Sequence, residues 1–145
     1  MLSTIAKTIH LRKVPLFETL IGEELLALSN ISQQFDFKKN DTVFLESTAG
    51  TGLFVIVSGK VAVFKGEVKA ENRKVIHYFM PLDYFGEMSL FDDIARSLNA
   101  VAEEDTTCLF IPKEAFLDLI YEVPSIALSI IRILSKRLSQ ANLKL

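Results

Sequence analysis

The sequence is poor in the residues that build metal centres and catalytic triads. It holds one cysteine, Cys108, two histidines, His10 and His77, and no tryptophan. A single cysteine excludes a disulfide framework, a Cys-ligated cluster and a zinc ribbon. No Ser-His-Asp or Cys-His pairing stands out, so a binding module is expected rather than an enzyme. A basic excess is missing as well: 16 Lys+Arg face 18 Asp+Glu, a net charge of −2. Direct nucleic-acid binding by this chain is therefore not expected. No apolar run approaches the roughly 18 residues of a membrane span. The opening MLSTIAKTIHLRK lacks the apolar core and small-residue cleavage site of a signal peptide. Internal repeats and low-complexity segments are absent too. What remains is the expectation of a cytoplasmic, soluble domain. The apolar content agrees: 50% of residues are hydrophobic and mean hydropathy is +0.31, which excludes disorder. At 145 residues the chain is the size of one domain.

The hydrophobic period changes twice. Residues 1–33 read as helical: LIGEELLALS places Leu25 and Leu28 at helical spacing, with Glu23 and Glu24 where the helix dipole favours acids. A shorter helix is expected near Ser3 to Leu11, and Pro15 breaks the connection. Residues 34–111 have period 2: FDF, TVFLE, LFVIVSG, KVAVFK, KVIHYFM and TTCLFIP are short β-branched or aromatic runs separated by turn-forming clusters. Residues 112–145 return to helical period, with Pro112 and Pro124 where a first turn tolerates proline. The expectation is a mainly β domain with flanking helices (α+β), an antiparallel β-roll or jelly roll closed by a long C-terminal helix. One domain with no internal boundary follows.

The chemistry concentrates in residues 84–101. An aromatic strand end stops at Gly86, a short turn EMSLF follows, and a polar link leads to Arg96-Ser97 and back into a strand. Glycine before a helix start lets backbone N–H groups approach an anion, and the helix terminus adds partial positive charge. Arg96 offers a planar, bidentate donor to the same anion. Ser97 adds a hydroxyl, and Glu87 is an acceptor for hydroxyl groups at the mouth of the turn. The set suits one phosphate and a sugar diol.

At these residues the chain resembles the cyclic nucleotide-binding domain family, whose phosphate-binding cassette is similar to FGEMSL with Arg96-Ser97 after it. VPLFETL, FKKNDTVFLE and LFVIVSGKVAVF resemble the family's helical entry and its first strand pairs, so the resemblance covers nearly the whole chain. It implies a catabolite-activator-type effector domain without the DNA-binding domain. It implies that Glu87 takes the ribose 2′-hydroxyl and that Arg96 pairs with the exocyclic phosphate oxygens. Amides near Gly86, Met88 and Ser89, with the Ser97 hydroxyl, complete the cradle. The ligand is cAMP or cGMP, and no further cofactor or metal is implied. A threonine beside the cassette arginine goes with guanine preference in the family; Ser97 lacks that methyl group, which favours cAMP. Gly59 is the family's structural glycine.

The sequence departs from the family pattern at three places. Asn40 stands for a usual glycine, and asparagine tolerates positive φ. Ser47-Thr48 replaces a common Gly-Asp pair. Leu98-Asn99 follows Arg96-Ser97, and a leucine pointing into the pocket would crowd the ligand. The alternative reading is a degenerate fold used only for assembly, and a third is a site for a different small anion. His77, in an apolar strand, has no partner pattern for haem or metal. Cys108 reads as a small buried hydrophobe. Asp92-Asp93 could bind a cation in isolation, but no further ligands accompany the two carboxylates, and Glu103 to Asp105 reads as a solvated turn.

The C-terminal helix carries two stripes. Ala127, Ile131, Leu134, Leu138, Ala141 and Leu145 are spaced 4, 3, 4, 3, 4, a heptad seam that predicts a parallel homodimer. Ile126, Ile130 and Ile133 form a second stripe for packing on the chain's own roll. The family's equivalent helix also lids the nucleotide, so the resemblance implies that Asn142 donates to the purine. The helix-turn-helix of the activator-type regulators is not in the sequence, so the expectation is either a stand-alone sensor or a piece of something longer.

Overall fold

The switches of period mark real changes of architecture. The structure, a computed structural model, describes residues 1–45, 51–66, 73–87, 90 and 98–143. Helix α1 (Thr4–Arg12), a 3₁₀ turn (Pro15–Phe17) and α2 (Gly22–Ile31) lead into the strands. The strands are β1 (Gln33–Phe37), β2 (Thr42–Phe44), β3 (Gly52–Ser58) and β4 (Val61–Phe64). They continue with β5 (Val75–Phe79), β6 (Tyr84–Phe85), β7 (Asn99–Ala102) and β8 (Thr106–Pro112). Helices α3 (Lys113–Glu122) and α4 (Pro124–Leu143) follow. Pro112 closes β8 and caps α3, while Pro124 opens α4 where its missing N–H costs nothing.

Two four-stranded antiparallel sheets form, ordered β1-β8-β3-β6 and β2-β7-β4-β5. This double Greek-key order is that of a jelly roll. Alternation along β3 and β8 explains why LFVIV and CLFI are continuously apolar. Phe54, Ile56, Cys108 and Phe110 point between the sheets, where they meet Val61, Val63, Phe85 and Ala100. Leu53, Val55, Leu109 and Ile111 point the other way, into a core built with the helices. A strand buried on both faces shows no alternation in its sequence.

The second stripe of α4 behaves as its spacing predicts. Ile126, Ile130 and Ile133 are buried against the helical core. The seam stripe is mostly bare: Ile131 is 56% and Leu138 64% exposed, although Leu134 packs against the core. Glu24 ties α2 to α4. Its carboxylate accepts the Ile21 N–H at 2.9 Å and the Ser125 hydroxyl at 2.5 Å.

Two of the turns read from the sequence take their expected form. Asn40 sits at φ 75°, doing the work of the usual glycine. Gly59 has φ 94°, and a Cβ there would overlap the Thr106 hydroxyl and the Asp105 carbonyl. Leu98 packs against the core between the sheets. Asn99 is buried and donates from Nδ2 to the Gly66 carbonyl at 2.6 Å. The Ser47-Thr48 loop and Asp92-Asp93 lie outside the described residues. No helix of the described residues is long and apolar enough to cross a membrane.

Candidate ligand-binding site

Strand β5 ends in a turn clamped to β3. Leu82 takes φ 75° and its N–H donates to the Ile56 carbonyl at 2.9 Å. The Ile56 N–H donates back to the Asp83 carbonyl at 3.0 Å, and Asp83 closes the turn by accepting the Met80 N–H at 2.8 Å. This clamp fixes where β6 starts. Beneath it lies an aromatic floor: Phe85 stacks on Phe54 at 5.2 Å and meets Phe79 at 4.9 Å. Gly86 follows at φ 87°, a conformation that favours glycine, and redirects the chain so that Glu87 leaves the sheet. The Leu90 N–H donates to the Glu87 carbonyl at 3.1 Å, and the Leu90 side chain is anchored in the helical core.

Glu87 therefore lines a cavity of about 300 Å³. His77 and Phe79 from β5 and Asp83 and Tyr84 from the turn and β6 form one side. Arg137 from α4 forms the other. The volume is at the small end of the range for small-molecule sites. Arg137 lies over the Tyr84 ring, 5.2 Å from its centroid, and the charge of the guanidinium is attracted to the ring face. His77 packs edge-on to Phe79 at 4.7 Å. The wall thus combines hydroxyl acceptors, a cation from the long helix, and aromatic surface against which a planar ring can lie.

Of the residues expected at the site, Glu87 lines this cavity and Gly86, at φ 87°, is the residue before it in the turn. Met88, Ser89, Arg96 and Ser97 lie outside the described residues. Asn142 is exposed and does not line the cavity; α4 reaches it through Arg137, about 7–8 Å earlier along the helix axis. The sequence reading gave no role to His77, Tyr84 or Arg137. Placing His77 and Phe79 on one face of β5 was possible from their two-residue spacing. Arg137 gave no such signal, because its partner Tyr84 is distant in sequence.

Residues 34–122 match the family model of the cyclic nucleotide-binding domain. The chain is 36% identical over 132 residues to the cyclic AMP receptor protein of Thermus thermophilus, covering 90% of this chain and 60% of that protein. The solved N-terminal domain of a transcriptional regulator from Streptomyces coelicolor superposes with a TM-score of 0.82 at 26% identity, covering 91% of this chain and 92% of that one. The solved Thermus thermophilus catabolite activator protein gives a TM-score of 0.71 at 35% identity, over 90% of this chain and 61% of the other. The chain thus spans about three-fifths of the length of the bacterial regulators it matches. The family is a regulatory ligand-binding one, and the jelly roll, the Gly86-Glu87 turn and the matched span establish that this chain belongs to the cyclic nucleotide-binding domain family.

Proposed function

We propose that this chain binds cAMP, in preference to cGMP, and passes the binding event to α4. The observation that carries the reading is Glu87, delivered by the positive-φ Gly86 into a cavity that α4 also lines. Glu87 takes the ribose 2′-hydroxyl. Arg96 pairs with the exocyclic phosphate oxygens, and the amides of Gly86, Met88 and Ser89 with the Ser97 hydroxyl complete the anion cradle. Asn142, outside the cavity in this structure, donates to the purine once α4 shifts toward the ligand. The relatives similar over nine-tenths of this chain, a cyclic AMP receptor protein and a cAMP-activated regulator, support adenine over guanine.

The coupling to α4 has a physical basis. A ligand shifts a helix only through contacts that differ between its two positions. Arg137 is already held at the cavity wall over Tyr84, so a ligand entering there changes the surroundings of a side chain fixed to α4. The bare seam of Ile131 and Leu138 supports a parallel homodimer through the same helix.

Calorimetry with cAMP and cGMP tests the reading. Binding of cAMP tighter than cGMP is the expected result. No heat from either at high micromolar concentration overturns it and favours the assembly module; tighter cGMP binding overturns the base preference.

A further inference from the structure

A second concave surface lies away from the nucleotide site, between α1 and α2. It is a groove of about 400 Å³ whose walls are Ile5, Ile9 and Leu26, with Gly22 in its lining and Arg12 and Lys13 at one end. The apolar side chains are bare: Ile5 is 74%, Ile9 54% and Leu26 48% exposed. Exposed apolar residues grouped in one depression mark an interaction site more often than scattered ones do.

The fold itself makes no use of this face. The other side of α1 does the packing: Leu11 enters the core, Lys7 Nζ donates to the Ser32 carbonyl, and His10 Nε2 bonds the Ile56 carbonyl. Ile5, Ile9 and Arg12 follow at i, i+4 and i+7 on the opposite stripe. A Cβ built on Gly22 meets nothing within 4 Å, so that part of the groove is empty space.

Charge identifies the occupant. The chain as a whole is acidic, yet residues 1–17 contain Lys7, Arg12 and Lys13 and no Asp or Glu. Both charged residues lining the groove are cations, at the C-terminal end of α1. The concave shape between two helices suits the ridge of a third helix laid along it, rather than a lipid surface, which meets a convex face. We propose that this groove docks an amphipathic helix of a partner protein, whose apolar stripe fills the space over Gly22 and whose acidic residues meet Arg12 and Lys13. Helix-in-groove recognition works in this way, with apolar anchors at i, i+3 and i+4 and charge setting register and choice of partner.

A fluorescein-labelled helical peptide with leucines on one face and glutamates beside them is the probe, and anisotropy the measurement. The peptide binds with micromolar affinity, and the same peptide with lysines for glutamates binds on the order of tenfold weaker. Gly22→Leu, whose Cβ enters open space, occupies the groove and weakens binding by a similar factor, as does Ile9→Asp. The double variant Arg12→Glu with Lys13→Glu reverses the choice between the two peptides. Circular dichroism melts confirm that each variant is folded. Equal binding of both peptides, or an unchanged dissociation constant in Gly22→Leu, overturns the proposal. So does co-sedimentation with phosphatidylcholine–phosphatidylserine vesicles that Ile9→Asp abolishes, which makes the face a lipid surface. An oligomer dissolved by Ile9→Asp in light scattering overturns it in favour of a second copy.

Discussion

Glu87 and Gly59 are two residues with opposite kinds of work. Glu87, in the proposed function, takes a hydroxyl, and Glu87→Gln keeps its shape while removing the charge. A charge-assisted hydrogen bond contributes about 1.5–3 kcal/mol, so affinity for cAMP falls by roughly one to two orders of magnitude. The loss largely vanishes against the 2′-deoxy analogue in the same calorimetric titration. Equal losses with both ligands mean that Glu87 holds the turn and does not read ribose. Arg96→Ala, which leaves a phosphate without its cation, costs more than tenfold in affinity with the fold retained. Gly59 carries no ligand role. Its φ of 94° and the oxygens of Thr106 and Asp105 leave no room for a methyl group. Gly59→Ala lowers stability by about 1–3 kcal/mol, read as a lower urea midpoint. Both residues were legible because each announces itself by type and place. Leu82 was not: its φ of 75° comes from the clamp to Ile56, a tertiary bond that no local pattern records.

Helix α4 shows what spacing reveals about an element and where it stops. Two apolar stripes were visible, and the structure buries one of them through Ile126, Ile130 and Ile133. Leu134 belongs to both: it lies on the heptad seam, yet it packs against the domain's own core. A substitution there mixes lost packing with lost association. Leu138, 64% exposed, separates the two. Leu138→Glu gives a monomer in light scattering with an unchanged melting temperature at equal protomer concentration below dissociation, and weaker cAMP binding. A wild type that is monomeric at high micromolar concentration removes the seam as an interface. The strands were legible to within a residue or two where one face is buried. The order in which they pair was not legible, since pairing is a long-range property. The role of Arg137 was hidden for the same reason: its neighbour Tyr84 is on another element.

At the scale of the whole molecule, a side-chain bond from α1 reaches the middle of β3. His10 on α1 bonds the Ile56 carbonyl, which the Leu82 N–H also reaches. Burial lowers the His10 pKa below its ordinary 6.5; the hydrogen bond to Ile56 acts the other way, and the Lys13 charge adds to the lowering. The neutral imidazole is therefore favoured on folding, and the unfolded chain takes up the proton first. The stabilisation is complete above the unfolded pKa of 6.5 and is lost as pH falls through the lower folded value. The slope this adds cannot exceed about 1.4 kcal/mol per pH unit, the value for one proton. Urea midpoints of the wild type decline between pH 7 and pH 5 more steeply than those of His10→Gln. Parallel declines assign the acid sensitivity to the carboxylates instead.

Cys108 sits between the sheets with its thiol pushed up to about 12, by burial first and by the Asp36 charge second. At pH 8 only about one such thiol in ten thousand is ionised, so a disulfide reagent has almost nothing to attack in the closed roll. Labelling must wait for the sheets to part. Its rate at saturating reagent becomes a stopwatch for that opening, built into the chain without any added probe. A nucleotide that lodges in the roll slows the stopwatch, while a peptide bound only along α1 and α2 leaves it running at its original pace.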